Sequence, residues 1–205
     1  EVAEKGEYLA SARSETRYPI YVKKYGRQFD ISWEALLNDD LGALQDTPVR
    51  FARAAARTEH RLVSGTYVAD LVAAANLYAA GNANSGNLPL TVGNLEDTIE
   101  AMTAFTDANG EPIMNRPKYL VVGPGLEMTA RSILTSTNKM WTSAAGDESA
   151  SIAYPMTNVV SQYGLQLVVD PYIPIYAPAA PLSWFLFSDP NDIAAMEFDY
   201  LTGHE

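Results

Sequence analysis

Pro117-Lys-Tyr-Leu-Val-Val-Gly-Pro-Gly-Leu-Glu-Met-Thr-Ala130 is the stretch that decides how the chain is read. From Lys118 to Val122 the residues are aromatic, aliphatic or β-branched, as a short buried strand requires. Gly123-Pro-Gly125 breaks the run, and a helix opens at Gly125 or Leu126, with Ala130, Ile133 and Leu134 at helical spacing. A strand running straight into a helix has the outline of a phosphate-binding turn. However, Met128 stands where the third glycine would be, and Pro124 lacks an amide that would cradle the anion. The stretch therefore reads as a tight strand-to-helix turn.

Working outward, Leu95, Ile99, Met102 and Phe105 form one face of a helix that Asn94 would cap and the Asp107-Ala-Asn-Gly110 turn would end. Residues 138–163 are rich in Ser, Thr, Ala and Gly and weakly periodic, which predicts a long surface loop with one helical turn. Leu165–Asp170, Trp184–Phe187 and Ile193–Tyr200 read as strands, with a proline-laced connection after the first. Helices and strands in this order give an α+β fold.

Toward the N-terminus, residues 1–17 mix charges without a period and read as an arm that a neighbour must order. Tyr18 to Trp33 is aromatic and β-branched around Lys23, Lys24 and Gly26, which predicts a two-stranded ribbon, marginal unless it leans on something. Glu34 to Gln45 reads as a short helix or turn. Thr47 and Pro48 then mark a helix start, and Val49 to Leu62 continues it. Phe51, Ala55, Thr58 and Leu62 form its apolar row, and Arg50, Arg53, Arg57 and Arg61 a separate basic stripe. Gly65 weakens any continuation, although Val68, Leu71, Val72 and Ala75 keep helical spacing to about Ala80. Gly81 to Asn87 is a loop.

The 205 residues, 47% of them hydrophobic, can bury a real core. Glu1 is not an initiator Met, so the start reads as a processed or trimmed end. With no cysteine, disulfides, thiolate metal sites and a cysteine nucleophile are excluded. The richest apolar stretch, Ile173 to Phe187, is too short for a membrane helix and is cut by Pro174, Pro178 and Pro181. The net charge is −11, and its excess lies late: residues 1–61 hold ten basic and ten acidic side chains, residues 62–205 four and fifteen. Such a surface reads as a solvated one, or as one that lies near nucleic acid without gripping it, since phosphate binding favours a basic face.

Motifs for catalysis are thin. Ser136-Thr-Asn-Lys139 fits an S-x-x-K pattern, but no S-D-N or K-T-G element accompanies it. His60 and His204 have no partner at metal-ligand spacing, and His60 reads as the end of its helix's polar face. Asp39-Asp40 and Glu96-Asp97 read as helix-terminal carboxylates.

The order of arm, ribbon, long helix and αβα unit resembles the major capsid proteins of Hong Kong 97-type tailed phages. Three phrases carry the likeness: Pro117–Ala130, Tyr163-Gly-Leu-Gln-Leu-Val-Val-Asp170 and Trp184-Phe-Leu-Phe-Ser-Asp-Pro-Asn-Asp-Ile-Ala-Ala-Met-Glu-Phe198. Tyr25-Gly-Arg-Gln-Phe-Asp-Ile-Ser-Trp-Glu-Ala-Leu-Leu-Asn-Asp-Asp40 is similar to Mu-like prophage head subunits. The resemblance implies an arm at 1–17, an extended loop at 18–32, a peripheral domain at 33–91 with a spine helix at 47–64, an axial domain at 92–190 and a return strand at 191–205. It also implies further strands past Glu205.

The implied function is a structural one in the virion, reached by assembly in the host cytoplasm. Hexamers and pentamers would enclose double-stranded DNA without reading its sequence, with portal and scaffolding or protease proteins as partners, and with no cofactor, metal or membrane. Tyr18, Tyr21, Lys23, Lys24, Tyr25, Arg27, Phe29, Arg50, Arg53, Arg57 and Arg61 are the expected inter-subunit contacts. Two alternatives stay open: an encapsulin-type compartment shell, and a small serine hydrolase using Ser136 and Lys139.

Overall fold

The computed structural model describes residues 21–26, 28, 30–38, 43–74, 76–107, 109–142, 153–191 and 194–200. Two units emerge, one of residues 1–38 with 199–205 and one of residues 39–198. In the first, the described residues from Tyr21 to Ser32 carry no regular secondary structure, and α1 (Trp33–Leu37) follows. The expected two-stranded ribbon is therefore corrected: no strand forms among its described residues. An isolated pair of strands is marginal in water. Tyr21, Val22, Tyr25, Ile31 and Trp33 stand exposed.

The second unit is built on the stretch quoted first. Strand β1 (Pro117–Val122) lies at the centre of a three-stranded sheet in the order β4-β1-β5, with β4 (Gln166–Val169) parallel to it and β5 (Trp184–Ser188) antiparallel. Leu120 and Val122 point to one face and Val121 to the other, as a strand's two-residue period dictates. The first face packs Leu95 and Ile99 of α3 (Val92–Thr103), Ala130 and Ile133 of α4 (Glu127–Thr135) and Val160 of α5 (Val160–Tyr163). The second packs Tyr67 and Val68 of α2 (Ala43–Ala73), Ile173 of α6 (Ile173–Tyr176) and Phe185. Truncating Leu120, which is fully buried, to Ala would destabilise the unit by about 2–5 kcal/mol.

Local chemistry explains the joints. At Gly123 an added Cβ would stand 3.3 Å from the Pro181 carbonyl oxygen, so the strand-to-helix turn is tight for a packing reason and not for an anion. Thr91, and not Asn94, caps α3: its hydroxyl accepts from the Asn94 N–H, while the Asn94 side chain donates to the Pro89 carbonyl. Buried Asn158 ties three segments together, donating to the carbonyls of Ile133 and Ser136 and accepting from the Val160 N–H.

Four further expectations need correction. Helix α2 starts at Ala43, five residues before Pro48, which lies inside it and loses only the bond to the residue 44 carbonyl. The same helix passes through Gly65 without a break to Ala73, so the helix expected at 47–64 is longer. The expected loop at 138–163 contains an antiparallel pair, β2 (Asn138–Thr142) with β3 (Ala153–Thr157), Trp141 opposite Tyr154; residues 143–152 of that expected loop lie outside the described residues. Residues 194–200 form no strand, and neither does Asn191, so the return strand of 191–205 is absent from its described part. A strand needs a neighbour for its backbone groups, and the described sheet ends at β4 and β5.

Candidate assembly surface

Helix α2 changes character along its length. From Pro48 to Arg61 every residue except Ala54 is exposed, whereas Ser64, Tyr67 and Val68 are buried against the sheet. At about 100° per residue, Arg50, Arg53, Arg57 and Arg61 fall on the same side as Ser64, Val68 and Leu71. The basic stripe thus continues the buried face past the end of the domain. Phe51, Ala55, Thr58 and Leu62, the apolar row, fall on the opposite side, and Phe51 is 37% exposed.

Where the stripe meets the domain, two tyrosines hold it. The Tyr172 hydroxyl donates to the Arg57 carbonyl (3.3 Å) and the Tyr176 hydroxyl to the Arg61 carbonyl (3.2 Å), one helical turn apart on both sides. Arg61 Nε donates in return to the Tyr176 oxygen at 3.3 Å. Gly65 permits this approach, since a Cβ there would sit 3.1 Å from the Tyr176 ring. Farther out, Arg50 pairs with Asp46 at 2.6 Å, the stripe's sole acidic partner among the described residues. Of the other expected contacts, Tyr21, Lys23, Lys24 and Tyr25 are exposed on the unstructured segment, and Tyr18, Arg27 and Phe29 lie outside the described residues.

Below the stripe lies a cluster that the sequence reading missed. Asp170, 3% exposed, accepts from the Tyr67 hydroxyl and from the Tyr172 N–H (2.8 Å), and His60 Nε2 stands 3.5 Å away. His60 also meets Tyr172 edge to face at 5.1 Å, so it is a bridge to the domain and not the end of a polar face. Burial, with the Asp170 hydrogen bond and charge behind it, pushes the Tyr67 phenol above its usual range. The nearby Ser64 hydroxyl donates to the His60 carbonyl, which keeps it in its own helix.

The S-x-x-K pair is likewise committed elsewhere. Ser136 Oγ donates to the Asn138 carbonyl at 2.6 Å, and Lys139 Nζ pairs with Glu96, so the lysine does not serve the serine as a base. Glu96 is thereby a tie between α3 and β2, not a helix-terminal charge alone. Among the described residues no three His, Asp or Glu side chains gather as metal ligands, and no helix is long and apolar enough to cross a membrane.

A family model described as phage capsid protein matches residues 16–205. The chain belongs to the phage capsid protein family. No curated protein and no solved structure gives a match. For a capsid protein, exposed apolar and basic surface has a natural use, because subunits of such a family build a shell with one another and reside in the virion. Membership in a structural family suggests that the capsid protein is not an enzyme.

Proposed function

We propose that the chain is a major capsid subunit of Hong Kong 97 type, close to Mu-like prophage head subunits. It assembles into hexamers and pentamers of an icosahedral head around double-stranded DNA, with portal and scaffolding or protease proteins as partners. In this reading residues 1–17 are an arm and 18–32 an extended loop that crosses a neighbour. Helix α2 is the spine of a peripheral domain at 33–91, and residues 92–190 are the axial domain. The observation that carries the reading is the uncovered half of α2, with its arginines on the side that would otherwise meet a core. Arginine suits a contact with a neighbour's carboxylates because its planar fork grips two oxygens at once.

The test is assembly itself. Negative-stain images of the concentrated protein should show closed shells, and light scattering that finds a monomer at every concentration and salt would refute the reading. The double variant Arg53→Glu with Arg57→Glu should keep the circular dichroism of the wild type, since exposed substitutions change stability by about 0.5 kcal/mol or less. Its particle yield should fall, most at low salt. An unchanged yield would reduce the stripe to a solvated face.

A further inference from the structure

A groove of about 490 Å³ opens on the other side of the domain from α2, between α3, α5 and the segment 112–116. Its floor is apolar: Ile99, Val160, Met114, Val159 and Tyr163 line it, and Met114 is 64% exposed. Met114 also holds a left-handed backbone (φ 58°), a conformation that costs a non-glycine residue about 1 kcal/mol or more. Beside it, Asn115 Oδ1 is buried without a hydrogen-bond partner within the chain. Along the rim Glu96 and Glu100 stand one helical turn apart. Lys139 answers Glu96, no described cation pairs with Glu100, and Arg116 completes the charged rim.

One segment of the chain has the complementary chemistry. Tyr21-Val-Lys-Lys-Tyr25 has no regular secondary structure, with Tyr21 79% and Val22 64% exposed, and carries two lysines between its tyrosines. In an extended conformation Tyr21, Lys23 and Tyr25 point to one side. We infer that this segment of one subunit docks in the α3–α5 groove of a second copy, a tyrosine ring on the apolar floor and a lysine against Glu100. Both surfaces leave water at once, and the excess acidity of residues 62–205 draws a segment bearing two lysines and no carboxylate. The inference rests on the shell reading and names the surface that receives the extended loop.

The absence of cysteine makes the test direct. Val22→Cys and Thr103→Cys variants, one of them tagged, are co-assembled with each other and treated with a short bismaleimide. A mixed dimer is expected in the particles, and no dimer from either variant alone. A double variant that cross-links only within single chains, or mixed particles without the dimer, would overturn the docking and leave the shell reading standing. In parallel, Glu100→Lys should raise the protein concentration needed for assembly about fivefold, and Lys23→Glu with Lys24→Glu in the same chain should restore it to within about twofold. Wild-type assembly by Glu100→Lys would count against the contact. Failure of the unsubstituted chain to assemble at all would remove the shell reading itself.

Discussion

The two halves of α2 share one helix and similar periodicity, yet one is buried against its own domain and the other is exposed. Between Ser64 and Leu71 the inward side carries Tyr67 and Val68 against Phe185, Tyr67 meeting that ring edge to face at 4.9 Å. Between Asp46 and Arg61 the same side carries arginine. Periodicity therefore identifies a face but not what covers it, and the outer row of Phe51, Ala55, Thr58 and Leu62 is as regular as the inner one. In a chain that assembles, a face can be amphipathic for the sake of a neighbour.

That contrast can be broken by matched substitutions. Val68→Asp buries an unpaired charge and should destabilise the isolated protein by about 4 kcal/mol or more, whereas Val49→Asp, on the exposed half, should cost about 0.5 kcal/mol or less. Urea titration of both variants checks this, and equal losses would mean that the outer half is covered within the monomer. A smaller effect sharpens the account of the joint. Tyr67→Phe removes a donor from buried Asp170 and should cost about 1–3 kcal/mol. The same phenol sets an alkaline limit. Its pKa is raised in the folded state, so its contribution is complete below the ordinary tyrosine value of 10.0 and is lost as pH rises beyond it; denaturation at stepped pH would show a steeper alkaline loss in the wild type than in Tyr67→Phe, which keeps only the raised phenol of buried Tyr78.

The smallest effect belongs to the turn after α3. Asp107 accepts N–H bonds from Glu111 and Asn109, which hold its carboxyl below the usual 3.8. A depressed value means that its support is present above 3.8 and fades as pH falls through the folded value. Asp107→Asn should therefore lose a slight acid dependence, visible as reduced exchange protection, relative to the intrinsic rate, of the Asn109 and Glu111 amides in the wild type alone when the solution is acidified.

Strands β1, β4 and β5 were legible because Tyr119–Val122, Leu167–Val169 and Trp184–Phe187 are apolar along their length and flanked by breakers. So was the turn at Gly123. The pair β2 and β3 was hidden, since Lys139, Thr142 and Pro155 dilute the alternation around Met140, Trp141, Tyr154 and Met156. The joint of His60, Tyr67 and Asp170 could not be read at all: 110 residues separate His60 from Asp170, and only the sheet's order brings them together. Of the expected contacts, the stripe was visible from its spacing, but its side of the helix was not.

The tyrosine clamp gives α2 a mechanical character. Held by Tyr172 and Tyr176 at Arg57 and Arg61, the helix is a beam fixed at one end, with roughly 16 Å of its length between Asp46 and Arg57 projecting beyond the fulcrum. A tilt of about 10° there, taken up by two hydroxyl hydrogen bonds and a glycine, would swing the Asp46 end through about 3 Å. Subunits placed where a curved surface bends by different amounts could then share one rigid sheet and differ in the set of a single lever.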